Sequence, residues 1–134
     1  MKKRILSLLL ALVMLLGMLP TVALAADDGW DGTTKTEPEK SGDVYQIGTA
    51  AELAWFRDEV NSGKSTLNAT LTADIDLNNQ EWTPIGQGYS AQFTGTFDGN
   101  QHTISGLKIA AATGSEIGLF GPISGATIKN LIVK

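Results

Sequence analysis

The chain contains no cysteine, a single histidine and, beyond its first four residues, only seven basic side chains against 14 acidic ones. The missing cysteine excludes a disulfide framework, a thiolate zinc site and a cysteine nucleophile. One imidazole, His102, cannot build a histidine metal cage or an HExxH peptidase site. The acidic excess makes a poor binder of nucleic acid or of an anionic membrane surface. Arg57 is the only arginine after position 4. A polysaccharide-active or polysaccharide-binding protein built on stacked strands stays an alternative, although a cleaving enzyme would need Asp, Arg or Lys gathered on one face over several coils. No enzyme and no cofactor is expected.

What is present begins with a leader. Lys2, Lys3 and Arg4 precede an almost wholly apolar run, Ile5 to Leu19, followed by Pro20 and the small-residue triplet Ala23-Leu24-Ala25. This is the pattern of a secretory signal peptide over residues 1–25. Cleavage after Ala25 leaves 109 residues of net charge −7, enough for one modest domain and without a further membrane segment. Fourteen glycines remain, about 13% of that chain and near twice the usual ~7%; they mark turns. A small secreted domain without disulfides needs another source of stability, and repeated backbone pairing is one.

Residues 26–42 are rich in Asp, Glu, Gly, Thr and Lys, with Trp30 as the one large apolar side chain. They read as a flexible acidic linker. The domain then spans 43–134. Val44-Tyr45-Gln46-Ile47 is a short strand. Thr49-Ala50-Ala51-Glu52 has capping-box spacing, and Leu53, Phe56 and Val60 fall on one helical face, so residues 50–61 form an amphipathic helix ended by Gly63. Ala69, Leu71, Ala73, Ile75 and Leu77 alternate with polar residues, a strand with one buried face. Trp82 to Gly86 is extended, with Pro84 outside any central strand position, and Gln87 to Ala91 is a polar loop.

Residues 93–109 and 117–133 form an internal repeat offset by 24 positions. Thr103-Ile104 aligns with Thr127-Ile128, Leu107 with Leu131, and Ile109 with Val133, each strand following a Gly-containing turn. Such a period suits coils of parallel β-structure. Ile104 would then stack on Ile128 one strand spacing away, ~4.8 Å. An antiparallel sandwich is the alternative.

Phe93-Thr94-Gly95-Thr96-Phe97-Asp98-Gly99-Asn100, His102-Thr103-Ile104-Ser105-Gly106-Leu107, Gly118-Leu119-Phe120-Gly121 and Ala126-Thr127-Ile128-Lys129-Asn130-Leu131 resemble the bacterial GLUG-motif repeat. Ile47 to Leu53 and Leu71 to Leu77 resemble the segment that often precedes it. Gln101 stands where such repeats often have glycine. The resemblance implies an all-β fold, a right-handed parallel β-helix, closed here by the N-terminal helix and incomplete at the C-terminus. It also implies a secreted or cell-wall-attached product of a Gram-positive bacterium: an adhesin-like or structural module, or a non-catalytic part of a secreted peptidase. No catalytic residue comes with it. The chain, ending at Lys134 without a polar cap or sorting signal, reads as part of a longer polypeptide.

Four side chains are binding candidates. Trp82 and Tyr89 flank a polar loop and could stack on sugar rings, although a packed Trp82 is the commoner arrangement. Asp74 and Asp76 share one face of a strand; as paired carboxylates they could hold Ca²⁺ or belong simply to a solvated face. Asp98-Gly99-Asn100 lacks the further ligands of a calcium loop and reads as a turn. No metal is assigned. Expected partners are host or cell-wall glycans or surface proteins, with no nucleic acid. Asn68-Ala69-Thr70 fits a glycosylation sequon to which a bacterial protein gives no evident use.

Overall fold

A computed structural model describes residues 29–109 and 118–134. The signal peptide, residues 26–28 of the linker and Ile117 of the repeat lie outside them.

In chain order the elements are β1 (Glu39–Ser41), β2 (Val44–Ile47), α1 (Ala50–Asn61), β3 (Asn68–Leu71), β4 (Ile75–Asp76), β5 (Glu81–Trp82), β6 (Thr96–Asp98), β7 (Thr103–Ser105), β8 (Lys108–Ile109), β9 (Thr127–Lys129) and β10 (Ile132–Val133). They make three sheets, ordered β1-β2-β3-β6-β9, β10-β7-β4 and β5-β8. Every pairing is parallel except β1 with β2, which is antiparallel.

α1 forms where the capping box predicts it. Thr49 Oγ1 accepts from the Glu52 amide at 3.2 Å, and Glu52 Oε2 accepts from the Thr49 amide at 3.2 Å and from Gly48 at 2.7 Å. Its inner face buries Ala50, Leu53, Ala54, Phe56, Arg57 and Val60. Phe56 meets Phe93 and Phe97 with ring centroids 6.0 and 5.9 Å apart, and Phe120 closes the group at 5.7 Å from Phe93 and 5.2 Å from Phe97. The helix thus shares one core with Ile47, Leu71, Ile75, Trp82 and Ile104 from all three sheets.

That arrangement corrects the expected all-β, right-handed parallel β-helix. The fold is mixed: a helix packed into the core, with three small sheets of unequal size, one carrying an antiparallel edge. Nor is there a constant repeat. Val44 pairs with Asn68, Ala69 with Phe97, Phe97 with Ile128, Ile75 with Ile104, Ile104 with Val133 and Glu81 with Lys108, steps of 24, 28, 31, 29, 29 and 27 residues. Ile104 and Ile128 belong to different sheets and are not partners. Thr-Ile-x is a strand signal wherever it falls, but register is set by which side chains fill the core. Fully buried Phe97 takes Ile128 as its neighbour, and fully buried Ile104 takes Ile75.

Two further expectations change. The single strand from Ala69 to Leu77 is two strands in two sheets, turned at residues 72–74. Alternate residues stay buried because the turn keeps Leu71, Ile75 and Leu77 pointing inward. The segment read as a flexible linker is packed over its described part, since Trp30 is 7% exposed and Glu39–Ser41 pairs with β2.

Turn chemistry explains the corners. Asn78, Asn79, Asn100, Gln101 and Asn130 all have positive φ, a conformation that Asn tolerates through local hydrogen bonds. Gln101 at φ 66° occupies a position that favours glycine. Gly95 and Gly121 answer a different need: a Cβ on Gly95 would lie 2.0 Å from the Leu67 carbonyl oxygen, and on Gly121 2.1 Å from that of Gly86. The sequon asparagine is structural, Asn68 Oδ1 accepting from the Thr96 amide at 2.8 Å.

Two outcomes test this packing. Thr49→Ala should lower stability by about 1 kcal/mol through loss of the N-cap bond, read as a shift of the urea midpoint. A double-mutant cycle on Phe97→Ala and Ile128→Ala should show coupling of about 0.5 kcal/mol or more, larger than that between Ile104→Ala and Ile128→Ala. The reverse order would restore the 24-residue register.

Candidate functional site

An open groove of about 820 Å³ lies where three segments meet: a strap over residues 29–36, the start of α1, and the stretch 74–80 around β4. Each wall has a local cause.

The strap is shaped by Asp31. Its Oδ1 accepts from the amides of Thr33 (2.8 Å) and Thr34 (2.7 Å), and its Oδ2 accepts from Thr34 Oγ1 at 2.6 Å, which fixes the bend at residues 32–33. The bonds from Thr34 and Thr33 favour the ionised carboxylate and hold it well below the ordinary Asp range. The turn aims Trp30 inward, where its indole N–H donates to Thr34 O at 2.9 Å and its ring sits edge-on to Trp82 at 5.9 Å. Asn78 Nδ2 donates to the Trp30 carbonyl at 3.0 Å, tying the strap to the β4 segment. On the other side the Thr36 amide donates to Ala51 O at 3.1 Å, and Lys35 pairs with Asp58 of α1. Burial raises the Asp58 pKa, but the bonds from Lys35 and Arg57 outweigh it and leave the group lowered.

Asp74, in the turn before β4, and Asp76, in β4 itself, both line the groove, although they do not lie on one continuous strand. Asp74 Oδ1 accepts from the Thr103 amide at 2.9 Å and lies 3.1 Å from His102 Nδ1; the first bond and then the imidazole lower its pKa. Asp76 Oδ1 accepts from the Asn78 amide at 2.7 Å. Both side chains are exposed. With Asp31 and Glu52 they place four carboxylates in the lining, beside Thr34, Thr36, Thr49, Asn78 and Gln80 and with no lysine or arginine. They are spread around the groove, and among the described residues no three His, Asp or Glu are placed to hold one metal ion.

The aromatic candidates go elsewhere. Trp82 is 1% exposed: its N–H donates to Leu119 O at 3.2 Å and the Arg57 guanidinium lies 4.6 Å over its ring. It cannot stack on a ligand; it is the surface on which Trp30 docks. Tyr89 is 92% exposed on the 86–91 loop and does not line the groove. The sequence reading did not single out Trp30, Asp31 or Asn78 as site residues, set Gln80 beside Trp82 and Tyr89 rather than in this groove, and gave Glu52 only its capping role. Asp31-Gly32-Thr33-Thr34 is itself a turn signal, and it marked the strap as structured.

No family model and no solved structure matches the chain. Two curated proteins do. The "Putative Gly-rich membrane protein" of Evansella cellulosilytica is 35% identical over 91 residues, 65% of this chain and 10% of that protein. Halomucin of Haloquadratum walsbyi is 36% identical over 75 residues, 48% of this chain and 1% of that protein. The chain therefore spans a tenth or less of either relative's length. Both likenesses are compatible with an extracellular or surface location. No described helix is long and apolar enough to cross a membrane.

The hydrogen-bonded carboxylates set an acid limit. Asp31, Asp74 and Asp98 all have folded pKa values below the unfolded one, Asp98 through the amide of Asn100 and then Asn130. A depressed carboxylate contributes stability that is complete above the unfolded value, about 3.9, and is lost as pH falls through the folded value. Stability should therefore respond little to these groups between pH 5 and 8 and decline below about pH 4. In Asp31→Asn the acid-side decline should be shallower, measured by urea midpoints at pH 3 and pH 6.

Proposed function

We propose that this chain is a non-enzymatic module of a secreted or cell-surface protein, adhesin-like or structural in role, of the GLUG-motif kind. The groove carries this reading. Its walls are held by the Trp30–Trp82 contact, the Asn78–Trp30 bond and the helix cap, so acceptors and donors are presented at set positions with no dependence on a closing motion. The sole imidazole is tied to Asp74, its one side-chain partner among the described residues, and its role there is to orient a carboxylate. The leader-type N-terminus and the two relatives, one of them named as a membrane protein, support a location outside the cytoplasm. The partner would be a glycan or surface protein of the cell wall or of a host.

The test is secretion followed by adherence. Expressed with its leader in a Gram-positive host, the protein should leave the cell with Ala26 at or within one residue of its N-terminus. Beads coated with the secreted chain should attach to bacterial walls or host cells more than albumin-coated beads do. Retention in the cytoplasm with Met1 intact, or adherence no better than albumin, would remove this reading.

A further inference from the structure

The groove runs beside an unpaired sheet edge. Among the described residues β4 is the terminal strand of its sheet and pairs only with β7. The Leu77 amide donates to Ser105 O at 2.9 Å, with Asp76 opposite Ser105 in the register. In a parallel ladder the N–H and C=O of one residue point to the same side and alternate along the strand. The peptide groups of Asp76 therefore face away from β7. Asp74, Ile75 and Asp76 all line the groove, so this free edge borders it. One level up in the larger sheet lies β2, but the chain leaving β2 enters α1 at Thr49 and supplies no strand beside β4. The groove is the space left there, closed on its far side by the strap.

Charge also marks this space. Four carboxylates and no lysine or arginine line it, whereas outside it Asp58 pairs with Lys35 and Arg57, Glu59 with Lys64, and Asp98 with Lys129. In the groove Asp31, Glu52 and Asp76 have no ion-pair partner among the described residues, and Asp74 has His102, with Lys134 contributing only at longer range. Each of these carboxylates is oriented by a backbone amide. Asp74, Asp76 and Glu52 each use one oxygen in those bonds and keep the other for a ligand.

We infer that the groove receives an extended, lysine- or arginine-bearing segment of a partner protein, which adds as a strand along β4 while its cationic side chains meet Asp74, Asp76, Glu52 and Asp31. Strand addition uses main-chain bonds for affinity and side-chain contacts for selection. The spread of the acids suits charges carried on alternate residues of a strand better than one bound ion. A neutral glycan would engage the threonines and amides but would gain nothing from the acids or the free peptide edge. This inference rests on the surface-module reading only in taking the partner to be a protein met outside the cell.

The experiment titrates the secreted full-length chain by calorimetry at low salt with a blocked Thr-Lys-Thr-Lys-Thr-Lys peptide. Three comparison ligands are its Thr-Glu counterpart, the Lys peptide N-methylated at alternate residues, and a glucosamine pentamer. The Lys peptide should bind and weaken as salt is raised, and the Glu peptide should not bind. N-methylation, which removes strand hydrogen bonds but keeps the charges, should weaken binding by roughly tenfold. Asp76→Asn should weaken it by roughly tenfold as well, with an unchanged circular dichroism spectrum, whereas Asp43→Asn, exposed and outside the groove, should have no effect. Equal affinity for the methylated peptide would reduce the effect to general electrostatics and overturn strand addition. Binding of the glucosamine pentamer without the peptide would assign the groove to amino sugars instead. If no ligand binds while coated beads still adhere, the surface-module reading survives and this inference does not.

Discussion

The position of Phe56 between α1 and the sheets is the contact on which the rest of the structure depends. Without a cysteine to form a disulfide, a chain this small must hold its layers together by side-chain burial. Phe56 brings the helix against Phe93 and Phe97, and Phe120 joins both from the last third of the chain. Residues separated by more than sixty positions thereby share one apolar cluster. Strands of two to four residues are too short to be stable alone. β2 to β7 persist because each contributes one or two side chains to that core, such as Tyr45 and Ile47 from β2 or Ile104 from β7.

A second aromatic group does for the N-terminal segment what the first does for the helix. Trp82 lies between Trp30 on one side and the Arg57 guanidinium on the other. Among the described residues Arg57 is the one charged side chain in the core, and it is matched by Asp58, which also holds Lys35 of the strap. Strap, β5 and α1 are thus joined through few side chains. The consequence for function is indirect and physical: the wall of the groove is part of the folded body, so the carboxylates on it are presented in set positions.

The distribution of charge follows from the same economy of basic residues. Lys35, Arg57, Lys64 and Lys129 lie beside Asp58, Glu59 and Asp98. The groove is left with acids stabilised by backbone amides and hydroxyls. Such bonds keep a carboxylate ionised without neutralising it, which leaves its field available to a cationic partner.

Much of the local structure was legible in the residues themselves. The capping box placed α1 to the residue, because N-cap and N3 side chains act within a single turn. Turn residues such as Asn100, and the exclusion of Pro84 from a strand, were equally local matters. The composition alone excluded disulfide, thiolate and multi-histidine chemistry. Register, sheet membership and the groove were not legible. Thr103-Ile104 and Thr127-Ile128 look alike in the chain, yet one pairs in the sheet of β4 and the other beside Phe97. That choice is decided by the volume each side chain finds in the core, and volume is a property of the assembled fold. Trp30 looked like a lone aromatic in an acidic tail, because the surface that receives it is formed by Trp82, fifty-two residues away. Asp74 and Asp76 were visible as a pair from their spacing; that they face Asp31 and Glu52 across a groove is decided only when the strap, the helix start and β4 are brought together in space.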